Sequence, residues 1–178
     1  MIVAISTAPR ALRIGQKTRK VTLVTHIVSA GAWIGIDVVV GALVVAGWLT
    51  ADPTIQGVAY VALGSFVVVP MLISGLVCLA SGLILGLGTR YGLLRYWWVA
   101  IKLVMNVVLC VLIVFLLRPG MPEIVEHGRS LLAGTGSDVD VSALFFPPAV
   151  SLAVLTTATV LAVFKPFGKV RSRPEEGS

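Results

Sequence analysis

VTLVTHIVSAGAWIGIDVVVGALVVAGWL, residues 21–49, decides the fold. A soluble helix keeps a polar face, and this stretch has none, so lipid is the solvent it is built for. Two ionisable side chains interrupt it, His26 and Asp37, with Trp33 between them. Their spacing is i, i+7 and i+11. At about 100° per residue the three fall within roughly 40° of arc, on one stripe of a helix. A central Asp costs roughly 2.5–3.5 kcal/mol on membrane-insertion scales. A stripe of His, Trp and Asp is therefore expected to turn from lipid toward other helices or a cofactor.

Composition agrees with that solvent. The chain of 178 residues is 57% hydrophobic and only 12% charged, with a mean hydropathy of +1.00. Soluble domains carry about 25% charged residues. An integral membrane protein of one domain is expected. The net charge of +6 does not point to nucleic acid, because no basic, aromatic-laced soluble face is present to carry it. Cys78 and Cys110 both sit in apolar segments, which is packing usage and not a secreted disulfide framework.

Outward from the first span, residues 1–20 form a cationic lead-in through Arg10, Arg13, Lys17, Arg19 and Lys20. Its apolar opening is too short for a signal peptide and precedes its basic residues, so no cleaved signal is expected. Asp52-Pro53 ends the first span. A second is expected over residues 56–87, kinked by Pro70. Ser74, Cys78, Gly82 and Gly86 recur every four residues there and form a small-residue ridge for a neighbouring helix. Tyr91, Tyr96, Trp97 and Trp98 make an interfacial aromatic belt. The third span, residues 97–117, holds Lys102 and Asn106 at i and i+4. Residues 118–143 read as the longest loop, with a brief surface helix starting near Pro122. The fourth span is expected over 142–164, followed by a polar tail, 165–178. The expected fold is all-α: a four-helix transmembrane bundle.

Orientation follows from basic residues. With both termini cytoplasmic, the inner segments hold eleven Lys and Arg (five before the first span, Arg90, Arg95, Lys165, Lys169, Arg171 and Arg173). The outer loops hold two, Arg118 and Arg129. The expected location is the cell membrane, multi-pass.

Depth follows from a rise of 1.5 Å per residue. His26 lies about 5 Å into the hydrocarbon and Asp37 about 21 Å; Lys102 lies about 6 Å in and Asn106 about 12 Å. His26 and Lys102 thus share a stratum near the cytoplasmic face, and Asn106 is the nearer expected partner for Asp37. Asp37 and Asn106 are the candidate polar or proton relay.

HIVSAGAWIG (26–35) and GLILGLGTRYGLLRYWWVAIKLV (82–104) together resemble the CopD-like four-helix membrane proteins. In that family a first-span His precedes W-x-G, and T-x-Y-G-x-L precedes an intramembrane Lys. The pattern is also similar to the HemJ-type membrane protoporphyrinogen oxidases. The resemblance covers the first three spans. It implies His26 as a ligand to haem b or a metal, Lys102 as a partner for porphyrin carboxylates, Trp33 as a surface packed on the ring, and a redox-related role. A bis-histidine haem has no second intramembrane His in this chain, although a homo-oligomer would supply another His26.

Two other functions compete. One is a non-enzymatic helical module whose stripe and ridge hold the bundle together or dock a partner membrane protein. The other is copper handling through Met71, Met105, Cys78 and Cys110, soft ligands suited to Cu(I) but without M-x-x-M or C-x-x-C spacing. Glu123, Glu126 and His127 read as a solvated helix face in the outer loop.

Overall fold

The computed structural model describes residues 15–88, 96–136 and 139–164. Arg10 and Arg13, residues 89–95 with Arg90, Tyr91 and Arg95, and residues 165–178 lie outside the described residues, as does the T-x-Y-G-x-L stretch. Among the described residues the chain is helical and has no strands. Four continuous helical stretches are long and apolar enough to cross a membrane: Gln16–Leu49, Pro53–Gly88, Trp97–Leu132 and Ser142–Phe164. Phe66, Phe115, Leu116 and Phe164 are 72, 76, 72 and 75% exposed. Large apolar side chains left open on this scale suit lipid and not water. The chain is an all-α, multi-pass membrane protein.

The first helix, α1 (Gln16–Leu49), has no breaker until Asp52-Pro53. Asp52 then caps α2 (Pro53–Phe66): its Oδ1 accepts the Thr54 N–H at 2.8 Å, and Pro53 sits in the first turn, where its missing N–H costs nothing. The expected kink lies at Val67, three residues before Pro70. Proline cannot donate to the carbonyl four residues back, that of Phe66, and its ring crowds that carbonyl. The helix resumes as α3 (Val68–Gly88). Contacts pair Gly47 with Tyr60, Gly75 with Trp33, and Cys78 with His26, so α1 runs antiparallel to α2 and α3.

The third stretch departs from the sequence expectation. α4 (Trp97–Leu112) does not stop at residue 117. It passes through one wide π turn, Ile113–Leu117, into α5 (Arg118–Leu132). The Arg118 N–H reaches back five residues to the Ile113 carbonyl. That widening falls just before Pro119, where an ordinary α turn would drive the ring into a carbonyl. Pro119 and Pro122 then occupy the opening turns of α5. The expected loop from 118 shrinks to the stretch after Leu132.

α5 is held by α2. Met121, Ile124, His127 and Gly128 are buried at helical spacing, while Glu123, Glu126 and Arg129 face outward. The two backbones meet at glycine. A Cβ on Gly128 would lie 2.8 Å from the Gly57 carbonyl oxygen and 2.9 Å from the Val61 nitrogen. A Cβ on Gly64 would lie 2.8 Å from the Met121 carbonyl oxygen. Only glycine permits this approach.

α6 (Phe146–Phe164) closes the bundle against α1 and α4. Asp140 Oδ1 accepts the Ser142 N–H at 2.9 Å and opens the 3-10 turn Ser142–Phe145 that leads into it. Hydrogen bonds from the Ser142 hydroxyl and then its backbone N–H hold the Asp140 carboxyl below its usual range. Trp33, Val40, Met71, Leu109, Cys110 and Leu155 join α1, α2–α3, α4 and α6 in one core.

Gly128→Ala is expected to destabilise the protein by about 1–3 kcal/mol, the usual cost of overpacking, measured by unfolding in detergent. Gly120→Ala, with nothing within 4 Å of its Cβ position, is the control. Equal stability of the two variants would contradict the close α2–α5 contact.

Candidate functional site

The stripe on α1 faces inward, and it divides into two polar centres. The first surrounds His26. Its Nδ1 lies 3.0 Å from the Cys78 carbonyl oxygen and 3.1 Å from Ser81 Oγ on α3. A carbonyl only accepts, so Nδ1 carries the proton and donates it. Ser81 Oγ is 2.7 Å from the Val77 carbonyl, to which it donates, and so accepts from the imidazole. Nε2, left with its lone pair, has no hydrogen-bond partner among the described residues. Gly82 makes room for the ring: a Cβ there would sit 3.2 Å from His26 Cε1. The ring is half-buried.

Further polar groups gather at the same level. Ser29 donates back to the His26 carbonyl at 3.0 Å. The Cys78 thiol lies 3.7 Å from His26 Nδ1. On α4, Asn106 Oδ1 accepts from the Cys110 thiol at 3.6 Å. Lys102 Nζ lies 4.9 Å from the centroid of the Trp98 ring, a cation–π distance, and its charge is close enough to act on His26 and Cys78. Lys102 and His26 therefore lie within electrostatic range of each other.

The second centre lies deeper. Asp37 is 0% exposed, and its Oδ2 accepts the Ser151 hydroxyl of α6 at 2.6 Å. Asn106, the expected partner, instead accepts from the Cys110 thiol one turn along α4. The reason is lateral: α1 packs beside α3 and α6, whereas α4 packs on α3 and α6. Trp33 is also 0% exposed. The far edge of its indole rests on α3, where a Cβ on Gly75 would meet it at 2.8 Å, beside Cys110 Sγ. Two buried polar atoms of this centre have no hydrogen-bond partner among the described residues, Trp33 Nε1 and Asp37 Oδ1.

Three serines complete what the sequence reading missed. Ser29 stands at i+3 from His26 on the same stripe, a signal that was available. Ser81 sits three residues after Cys78. Ser151 is the one hydroxyl in the apolar run 146–155 of α6. The buried ridge on α3 is Met71, Gly75, Cys78, Ser81 and Gly86, rotated from the expected Ser74–Gly86 row and set by the Trp33 and His26 rings. His127 is buried, its ring 5.3 Å from that of Tyr60, and is not part of a solvated face.

Among the described residues no three His, Cys, Asp or Glu side chains gather as a metal-binding group. Met71 belongs to the core. Two apolar grooves open on the flanks. One of about 460 Å³ lies between α1 and the Val67–Pro70 kink; one of about 240 Å³ lies between α3 and α4. Neither is lined by His26, Asp37 or Lys102. No family model, curated protein or solved structure matches the chain.

Ser151→Ala leaves Asp37 Oδ2 without its donor and is expected to cost about 1–3 kcal/mol, read from unfolding in detergent or bilayer. Thr157→Ala on the exposed side of α6 serves as control. If Ser151→Ala unfolds no more easily than that control, the α1–α6 bond is not a stabilising one.

Proposed function

We propose that this protein is a CopD-like membrane protein in which His26 ligates haem or a related porphyrin and serves a redox-related role. The observation that carries the reading is the Nδ1–H bond to the Cys78 carbonyl. A histidine held this way presents Nε2 as a fixed, neutral ligand, the arrangement that metal-binding histidines use. His26 is the residue that would hold the metal of such a group. Half-exposure of the ring and the cation Lys102 on α4, whose charge reaches it, suit a guest that carries carboxylates. Haem would supply one-electron chemistry there; His26 would orient it and Lys102 would neutralise its anionic edge. His127 lies on α5, past the other end of the bundle, so one chain offers a single histidine ligand and transmembrane electron transfer is not part of the proposal. Trp33, expected to pack on the porphyrin, is enclosed at the bundle centre, so the reading rests on His26 and Lys102.

We place both termini in the cytoplasm on the eleven-to-two division of basic residues; a reporter fused after Ser178 that is active only outside the cytoplasm would reverse this. A second reading has its own support. His26 ties α1 to α3 and Asp37 ties α1 to α6, which is what a non-enzymatic helical module docking a partner membrane protein would need. Copper handling, the third reading, would rely on the soft side chains Met71, Met105, Cys78 and Cys110.

Purified protein titrated with haemin is expected to develop a Soret band that His26→Ala abolishes and Lys102→Gln weakens. Absence of the band in the wild-type protein, with His26→Ala merely less stable, would leave the helical module. Copper retained through purification and lost in Cys78→Ser would favour the third reading.

A further inference from the structure

We propose that Trp33, Asp37 and Ser151 enclose a binding site for one water molecule at the centre of the bundle. This inference is independent of the porphyrin reading, which concerns His26. Both side chains that define it are 0% exposed, and each presents one polar atom with no hydrogen-bond partner among the described residues: the indole Nε1–H, a donor, and Asp37 Oδ1, an acceptor. Buried polar atoms are almost always partnered by protein or by ordered water. These two are of opposite kind, and they stand four residues apart on α1, where side chains are neighbours about 5–6 Å apart at Cβ.

The pairing selects the ligand. A cation would be welcomed by the carboxylate and opposed by the N–H. An anion would be welcomed by the N–H and opposed by the carboxylate. An aliphatic group would satisfy neither. A water accepts from Nε1 and donates to Oδ1, which supplies two of the ~2–4 polar partners that an internal water needs. It also serves both ionisation states of Asp37, because it can turn to accept from a carboxyl O–H at Oδ1. Ser151 closes the other side of the carboxyl through its 2.6 Å bond to Oδ2. Among the described residues no side chain substitutes for it: the wall at α3 is Gly75, and the nearby Cys110 thiol of α4 donates to Asn106. The site thus gives the buried carboxyl a partner that can exchange a proton with it while the helix contacts stay fixed.

The test is a high-resolution structure of the full chain in lipid. Expected is a solvent peak about 2.7–3.2 Å from both Trp33 Nε1 and Asp37 Oδ1. A direct Nε1–Oδ1 bond, or no peak between the two atoms, would overturn the proposal. A second readout uses infrared difference spectra between H₂¹⁶O and H₂¹⁸O. An isotope-sensitive O–H band of the wild-type protein is expected to vanish in Trp33→Phe with helix content retained. Persistence of every such band in that variant would also overturn it, and the wild-type structure decides the matter if the variant does not fold.

Discussion

The bond between Asp37 and Ser151 is the interaction on which the arrangement of the helices depends. A carboxyl in the middle of an apolar span cannot reach water by extending its side chain, as a lysine can. It must be turned inward and given a donor by another helix. That requirement fixes the rotation of α1 and brings α6 beside it. Once α1 is rotated so, Trp33 and His26 on the same stripe must also point inward, and α3 has to accept them. It does so at Gly75 and Gly82, whose missing side chains are filled by the indole and the imidazole.

The polar seam therefore acts as a ruler along the bundle. At one end His26 meets a backbone carbonyl of α3; at the centre Asp37 meets a hydroxyl of α6. These two contacts use different chemistry. The imidazole keeps one nitrogen for binding and commits the other to the fold, which suits a ligand site. The carboxyl is enclosed and suits storage of a proton or of a polar link. Beyond the seam the helices outrun the bilayer: stretches of 36 residues span about 54 Å at 1.5 Å per residue, against a hydrocarbon core of about 30 Å. The surplus in the second and third stretches is the α2–α5 pair, held by glycine contacts.

What was legible in the sequence follows from what lipid enforces. Four apolar stretches and the inward stripe are written in composition and in the 26, 33, 37 spacing, because a membrane leaves little choice about either. The continuation of α4 through Pro119 into α5 was not legible. Proline normally ends a helix, and the π turn that admits it is a backbone adjustment without a side-chain signature. The α2–α5 contact was written in Gly57, Gly64 and Gly128, but only pairing in space gives such glycines meaning. Asn106 was matched to Asp37 by depth alone. Depth orders residues along the membrane normal and is silent about which helices are neighbours, so Ser151, one of four hydroxyls on α6, could not be chosen from it.

The central claim is that the stripe on α1 is shut away from lipid, and brominated-lipid quenching of tryptophan fluorescence tests it most directly. Two variants are compared in the same bilayers: one retaining only Trp33, which is 0% exposed, and one retaining only Trp97, which is 52% exposed. The account predicts weak quenching of Trp33 by bromines at every acyl-chain depth and strong quenching of Trp97. Quenching of Trp33 as strong as that of Trp97, in a folded protein, would contradict it.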